Sequence, residues 1–267
     1  MDFPVLNSAA VSETGPVRAE NQDAVGLPDP ALSPERGYLF VVADGMGGYA
    51  NGALASVKAV ETLAAAVYER IGAPGQAALR QGVERANLAI YRAAQQLEAR
   101  MGTTLTAALV VGRTLHLAHV GDSRAYLVRG PKAQLLTSDH TQVGELVRAR
   151  VIAPGLARTH PQRSILTRAL GLGLFVQPEL SRVELQPHDR LLLCSDGLWS
   201  ALEDEELGRL VSAAHSPAEA SRQLVELALQ RGTDDNLTAL SIFVEQLPGG
   251  AAARPAGWLS RLNPWKT

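Results

Sequence analysis

The chain has 267 residues, 46% of them hydrophobic and 19% charged, with a formal net charge of −2. That length suits one large domain or two small ones, and the near-neutral charge argues against a general affinity for nucleic acid, which requires a basic surface. A single cysteine, Cys194, excludes an internal disulfide.

The opening Met1-Asp2-Phe3-Pro4 lacks the basic and apolar regions of a signal peptide. No apolar run approaches the ~20 residues of a membrane span. The expected setting is a reducing cytoplasm, and the expected state a monomer.

Tyr38–Asp44 reads as a short buried strand ending in acid and glycine. Gly47 and Gly48 then permit a tight turn in which backbone can approach a ligand. A helix is predicted from about residue 52 to 71, because Val60, Leu63, Val67 and Ile71 step by three or four along one face. Gly72-Ala73-Pro74-Gly75 stops it, and a second helical stretch runs through about 76–99. Thr103–Val111, Thr114–Val120 and Ser123–Val128 are strands separated by short turns, which predicts a three-stranded antiparallel meander.

Residues 139–170 carry Arg148, Arg150, Arg158, Arg163 and Arg168 and read as a partly helical insertion over the sheet edge. Its arginines are either a solvated face or a flap that receives phosphorylated or acidic protein segments. Arg190–Cys194 and Leu237–Val244 are further strands, with helical spacing in Glu203–Val211 and Pro217–Gln230 between them. Antiparallel sheets with helices gathered outside predict a layered α+β sandwich. From Leu247 the composition is that of a flexible linker, so residues 1–246 are expected to form the domain and 247–267 a tail. Trp258, Leu259, Leu262 and Trp265 would share one side of a short helix in that tail; docking is one reading and a mobile end the default.

Four aspartates stand at the tips of apolar or Gly-rich segments: Asp44, Asp122, Asp196 and Asp235. Any one alone reads as a turn-former. Carried together to the rim of a core, they cost several kcal/mol in desolvation and repulsion unless cations neutralise them. Hard divalent ions with oxygen ligands are the natural partners.

The order Arg18-x-x-Asn21-Gln22-Asp23, Asp44-Gly-Met-Gly-Gly48, Gly102-Thr103-Thr104, Val120-Gly-Asp122-Ser-Arg124, Thr167-Arg168-Ala169-Leu170-Gly171, Ser195-Asp196-Gly197 and Asp235-Asn236 resembles the metal-dependent protein phosphatases of type 2C in their bacterial form. The resemblance covers roughly residues 10–245. It implies a four-layer αββα sandwich with a two-metal centre of Mn²⁺ or Mg²⁺ at one end. Asp44 would bridge both ions, with the Gly45 carbonyl as a further ligand; Asp196 and Asp235 would complete the first ion, and Asp122 with Asp196 would form a weaker third site. Two ions about 3.5–4 Å apart would lower the pKa of a shared water, so that hydroxide attacks phosphorus in line. Arg18 would grip the phosphate. Asn236 would support the ligands from behind, and Arg168 is a further candidate substrate contact.

Three positions depart from the family pattern. Gln22 replaces a common Glu and is expected to reach the second metal through water; Met46 stands where a histidine has been considered a general acid; Ser164 replaces a common Asn. Asp23 is expected to support Arg18 as an ion pair instead of touching metal. Glu203-Asp204-Glu205-Glu206 reads as a helix start and not as a metal site. Cys194, inside an apolar strand, reads as a small hydrophobe, and His119 as a packed or solvated imidazole; His140 is left open.

The implied activity is hydrolysis of phosphoserine and phosphothreonine proteins, opposing a serine/threonine kinase of the same cell. A phosphatase dedicated to one regulatory protein and a catalytically silent scaffold are the rivals.

Overall fold

Leu39 and Val41 point one way from their strand and Phe40 and Val42 the other, and this alternation organises the whole molecule. The computed structural model describes residues 3–46, 51–69, 75–158 and 160–249. Gly47 and Gly48, Ile71 with the proposed helix stop at 72–74, and the tryptophan-bearing tail lie outside these residues.

In chain order the elements are β1 (Val5–Glu13), β2 (Asp23–Gly26), α1 (Ser33–Arg36), β3 (Tyr38–Asp44), α2 (Gly52–Glu69) and α3 (Gly75–Gln96). There follow β4 (Leu105–Val111), β5 (Thr114–Val120), β6 (Arg124–Arg129), β7 (Lys132–Leu135), α4 (Gln142–Arg148) and α5 (Pro154–Ala157). The last are β8 (Glu179–Glu184), β9 (Arg190–Cys194), α6 (Asp196–Trp199), α7 (Asp204–Ala213), α8 (Pro217–Gln230) and β10 (Leu237–Gln246).

Two antiparallel five-stranded sheets run β1-β10-β9-β6-β7 and β2-β3-β4-β5-β8. Three apolar layers hold them. Phe40, Val42, Leu117, Leu127, Leu193 and Leu240 fill the space between the sheets. Leu39, Val41, Leu63, Leu79 and Ile90 join the second sheet to α2 and α3. Tyr126, Leu192, Leu207, Leu224 and Val225 join the first to α7 and α8. The result is the αββα sandwich expected from the sequence. No helix among the described residues is long and apolar enough to cross a membrane.

The meander is corrected. β4 and β5 form the predicted hairpin, but β6 crosses to the other sheet and pairs with β9 and β7. Gly121 redirects the chain: its φ of +111° suits glycine, and a Cβ there would lie 2.6 Å from Thr104. Closely spaced turn signals do not distinguish a strand that continues a sheet from one that changes sheet. Of the predicted helix stop only Gly75 is among the described residues, and it opens α3.

β1, β2, β7 and β8 were not predicted, and they are the four sheet edges. Their residues are half-buried or exposed, so the apolar signal is weak.

The acidic run is structural. Glu203 and Glu206 close a capping box at the start of α7, and Arg231 pairs with Glu206 at 2.6 Å. The insertion 139–170 contains α4 and α5, and one of its arginines is anything but solvated. Arg158 donates to the carbonyls of Trp199 (2.6 Å) and Leu202 (2.8 Å) and pairs with Asp204 at 2.7 Å. The segment that follows the insertion is fixed by buried Asn87, which donates to the Gly173 and Leu174 carbonyls and accepts from the Gly171 N–H.

Candidate metal centre

The strands β3, β5 and β9 end at one edge of the sandwich, where β2, β4, β6 and β10 begin. Antiparallel pairing therefore delivers Asp44, Asp122, Asp196 and Asp235 to the same end from both sheets, and all four line one cavity of about 580 Å³. Arg18, Gln22, Gly45, Met46, Ser164 and Asn236 are also on its walls.

Asp44 closes β3 and is held through its backbone. Its N–H donates to Thr104 Oγ1 at 2.9 Å, and its carbonyl accepts from the Thr104 N–H and Thr103 Oγ1, both at 2.9 Å. Thr104 is braced in turn by Ser123 Oγ at 2.7 Å. The Gly45 N–H donates to the Gln22 carbonyl at 3.0 Å, leaving the Gly45 backbone tightly enclosed: a Cβ there would lie 2.4 Å from the Gly52 carbonyl.

Asp23 stands opposite Asp44 in the β2–β3 ladder. Its Oδ2 accepts from Ser195 Oγ at 2.7 Å and Thr238 Oγ1 at 2.6 Å. Arg18 turns elsewhere: it pairs with Asp235 at 2.7 Å, so the expected Arg18–Asp23 ion pair is not formed. The reason is position. Asp23 is enclosed at the start of a strand, whereas Arg18 lies on the partly exposed loop before it. Asn236 pins that loop, donating to the Thr14 and Glu20 carbonyls and accepting from the Gln22 N–H at 2.9 Å. The Gln22 amide donates to Glu20 at 2.6 Å.

Burial sets the electrostatics. It pushes Asp23 up to about 6 and Asp196 up to about 7, with the charges of neighbouring aspartates adding to the effect. Asp44 and Asp122 are pushed in the same direction, again by burial first and carboxylate neighbours second. Asp23 Oδ1 and Asp196 Oδ1 are buried without a hydrogen-bond partner. Clustered anionic oxygens with unmet acceptor capacity fit a hard divalent cation. Among the described residues no three His, Cys, Asp or Glu side chains already form a ligating cluster, and one Asp235 oxygen is engaged by Arg18.

His119 is a packed imidazole. It is enclosed by Thr106 Oγ1 and the Ser138 carbonyl, and burial holds it down to about 3, so it is neutral. His140, 4.8 Å from it between ring centroids, accepts the Gly121 N–H on Nδ1; the tautomer then places its proton on Nε2, toward Glu179. Cys194 is buried and pushed up to about 12, which removes it as a nucleophile. Arg168 is exposed and is not on the cavity wall. The bracing hydroxyls of Ser195, Thr238 and Ser123 were not singled out from sequence. Thr104, Ser123 and Ser195 stood inside the quoted frames without being given a role, and Thr238 lay outside all of them.

The protein phosphatase 2C family model matches residues 8–237. Serine/threonine protein phosphatase PstP of Mycobacterium tuberculosis is 41% identical over 243 residues, which is 88% of this chain and 44% of PstP. The chain thus spans less than half the length of that relative. Serine/threonine phosphatase Stp1 from Staphylococcus aureus has a similar structure, with a TM-score of 0.85 at 33% identity, covering 92% of this chain and 98% of that one. The catalytic domain of PstP in complex with two manganese ions gives a TM-score of 0.78 at 37% identity, covering 90% and 99%. A matched model over most of the residues, together with the shared sandwich, places this chain in the protein phosphatase 2C family.

Proposed function

We propose that the chain is a metal-dependent serine/threonine protein phosphatase that hydrolyses phosphomonoesters on proteins and opposes a serine/threonine kinase of the same cytoplasm. The observation that carries it is the convergence of four buried or half-buried aspartates from both sheets on one cavity with an arginine at its mouth. Asp44, Asp196, Asp235 and Asp122, with the Gly45 carbonyl, would hold Mn²⁺ or Mg²⁺. When bound, such cations neutralise phosphate charge and acidify water.

The chain's own residues divide the rest of the work. Arg18 exchanges Asp235 for two phosphate oxygens, to which a guanidinium fork is matched. Asn236 keeps that arginine's loop in place, and Asp23, bound by two hydroxyls, sets the position of Asp44 across the ladder. Gln22 offers an amide where a carboxylate would add charge. Met46 has no proton to give the leaving alkoxide, so protonation falls to water. Residues 1–246 form the catalytic unit, which works as a monomer, with the tail from 247 outside it.

The test is hydrolysis of an aryl phosphate and a phosphothreonine peptide by protein stripped with a chelator and then resupplied with Mn²⁺ or Mg²⁺. Turnover of both substrates returns on resupply. Turnover that survives stripping contradicts the metal-dependent assignment, and turnover that never appears with either ion favours the silent scaffold.

A further inference from the structure

A second cavity of about 310 Å³ lies beneath the arginine-bearing insertion, between α4 and the wall made by β6 and α6. Six charged side chains line it: Arg124, Arg148, Arg158, Arg163, Asp139 and Asp204. Four guanidinium groups face two carboxylates, so the lining carries a surplus of positive charge.

Both carboxylates are already engaged. Arg124 grips Asp139 with two bonds of 2.9 and 2.7 Å while stacking 3.6 Å from the Trp199 ring centroid. Arg158 takes Asp204 at 2.7 Å. The surplus therefore rests on Arg148 and Arg163. Arg148 only approaches Glu145, at 3.8 Å, and among the described residues Arg163 forms no ion pair. Val143 and Val147 of α4 and Leu135 of β7 supply an apolar wall that lowers the local dielectric and strengthens any charge pairing inside.

This cavity is separate from the catalytic one but adjoins it. Arg163 is followed by Ser164, which faces the aspartates, and the Trp199 indole N–H donates to the Asp122 carbonyl at 2.9 Å.

We propose that the cavity under the insertion is a second anion subsite for the protein substrate, taking a phosphorylated or acidic side chain of the same segment while its phosphoserine or phosphothreonine occupies the catalytic cavity, with Arg148 and Arg163 as the specificity-determining contacts. The charge of the lining selects an anion, and the adjacency of the two cavities selects one covalently linked to the residue being dephosphorylated. The inference rests on the phosphatase assignment, and binding separates the two.

The test compares phosphothreonine peptides flanked by glutamates or a second phosphate with peptides flanked by alanine and glutamine, using wild type and the Arg148→Glu/Arg163→Glu double variant. For wild type, KM is lower for the acidic series. In the double variant KM for that series rises about tenfold, while kcat, the neutral series and aryl phosphate hydrolysis stay unchanged. A wild type that does not distinguish the two series, or a variant that weakens both equally, overturns the subsite. Fluorescence anisotropy of a labelled glutamate-rich peptide lacking the scissile phosphate reads the same contacts without turnover. Binding to wild type that is lost in the variant supports the subsite even if hydrolysis fails. Equal binding to both refutes it even if hydrolysis succeeds. If the double variant does not fold, Arg163→Gln alone replaces it, with about a threefold KM effect expected and none taken as refutation.

Discussion

Replacing Asp44 by Asn lowers kcat on every phosphomonoester by at least about a thousandfold, because the amide cannot bridge cations as a carboxylate does. The same change leaves the metal-free fold intact. Asp44 is anchored through its backbone, by Thr104 and Thr103, and those bonds do not involve the side chain that is altered. Its carboxyl is pushed up by burial and by Asp23, Asp196 and Asp122, so loss of the charge relieves crowding. Stopped assays with Mn²⁺ in excess, alongside thermal melts in chelator, separate the two effects. Turnover within tenfold of wild type, with a normal melt, contradicts a bridging role for Asp44.

Asp196→Asn stabilises the metal-free protein increasingly as pH rises from 5 to 8. Asp196 has a folded-state pKa raised to about 7, and Asp23 to about 6. A carboxyl raised in this way contributes stability that is fully present below its unfolded pKa, near 4, and is lost as pH climbs through the folded value. The amide removes that loss at position 196. The buried histidines, which titrate in the opposite sense, are the same in both proteins and cancel in the difference. The expected gap is on the order of 4 kcal/mol at pH 8, or about 8–16 °C in Tm, closing toward pH 4. Saturating Mn²⁺ reverses the order at pH 8, since only the wild type can exchange repulsion for coordination. A gap that is constant with pH, or that widens on acidification, contradicts the crowding of these carboxylates.

The central strands and the aspartates of the cavity were legible in the sequence because both are extreme. Tyr38–Asp44 and Arg190–Cys194 are buried on both faces and read as apolar runs, and their bounds coincide with β3 and β9. The aspartates were visible through ordered short frames, and all four of those named line one cavity. The edge strands were illegible for the complementary reason. Lys132–Leu135 and Glu179–Glu184 bury too little to leave a pattern of period two. The crossing of β6 between sheets depends on the backbone at Gly121, which resembles an ordinary turn in sequence. The partner of Arg18 was misjudged because Asp23 is near in sequence, whereas Asp235 is near in space. Ser195, Thr238 and Ser123 act on carboxylates or on their braces through hydroxyl bonds; the frames hold Ser195 and Ser123 but do not say which partner a hydroxyl meets, and Thr238 stands in no frame at all.

Uptake of Mn²⁺ by chelator-stripped protein, followed through loss of the free-ion resonance in electron paramagnetic spectra, tests the convergence of these aspartates most directly. Wild type removes two equivalents at low micromolar ion, and Asp44→Asn and Asp235→Asn each abolish tight uptake. No tight uptake by the wild type, or uptake that both variants retain, means that these aspartates do not hold the ions.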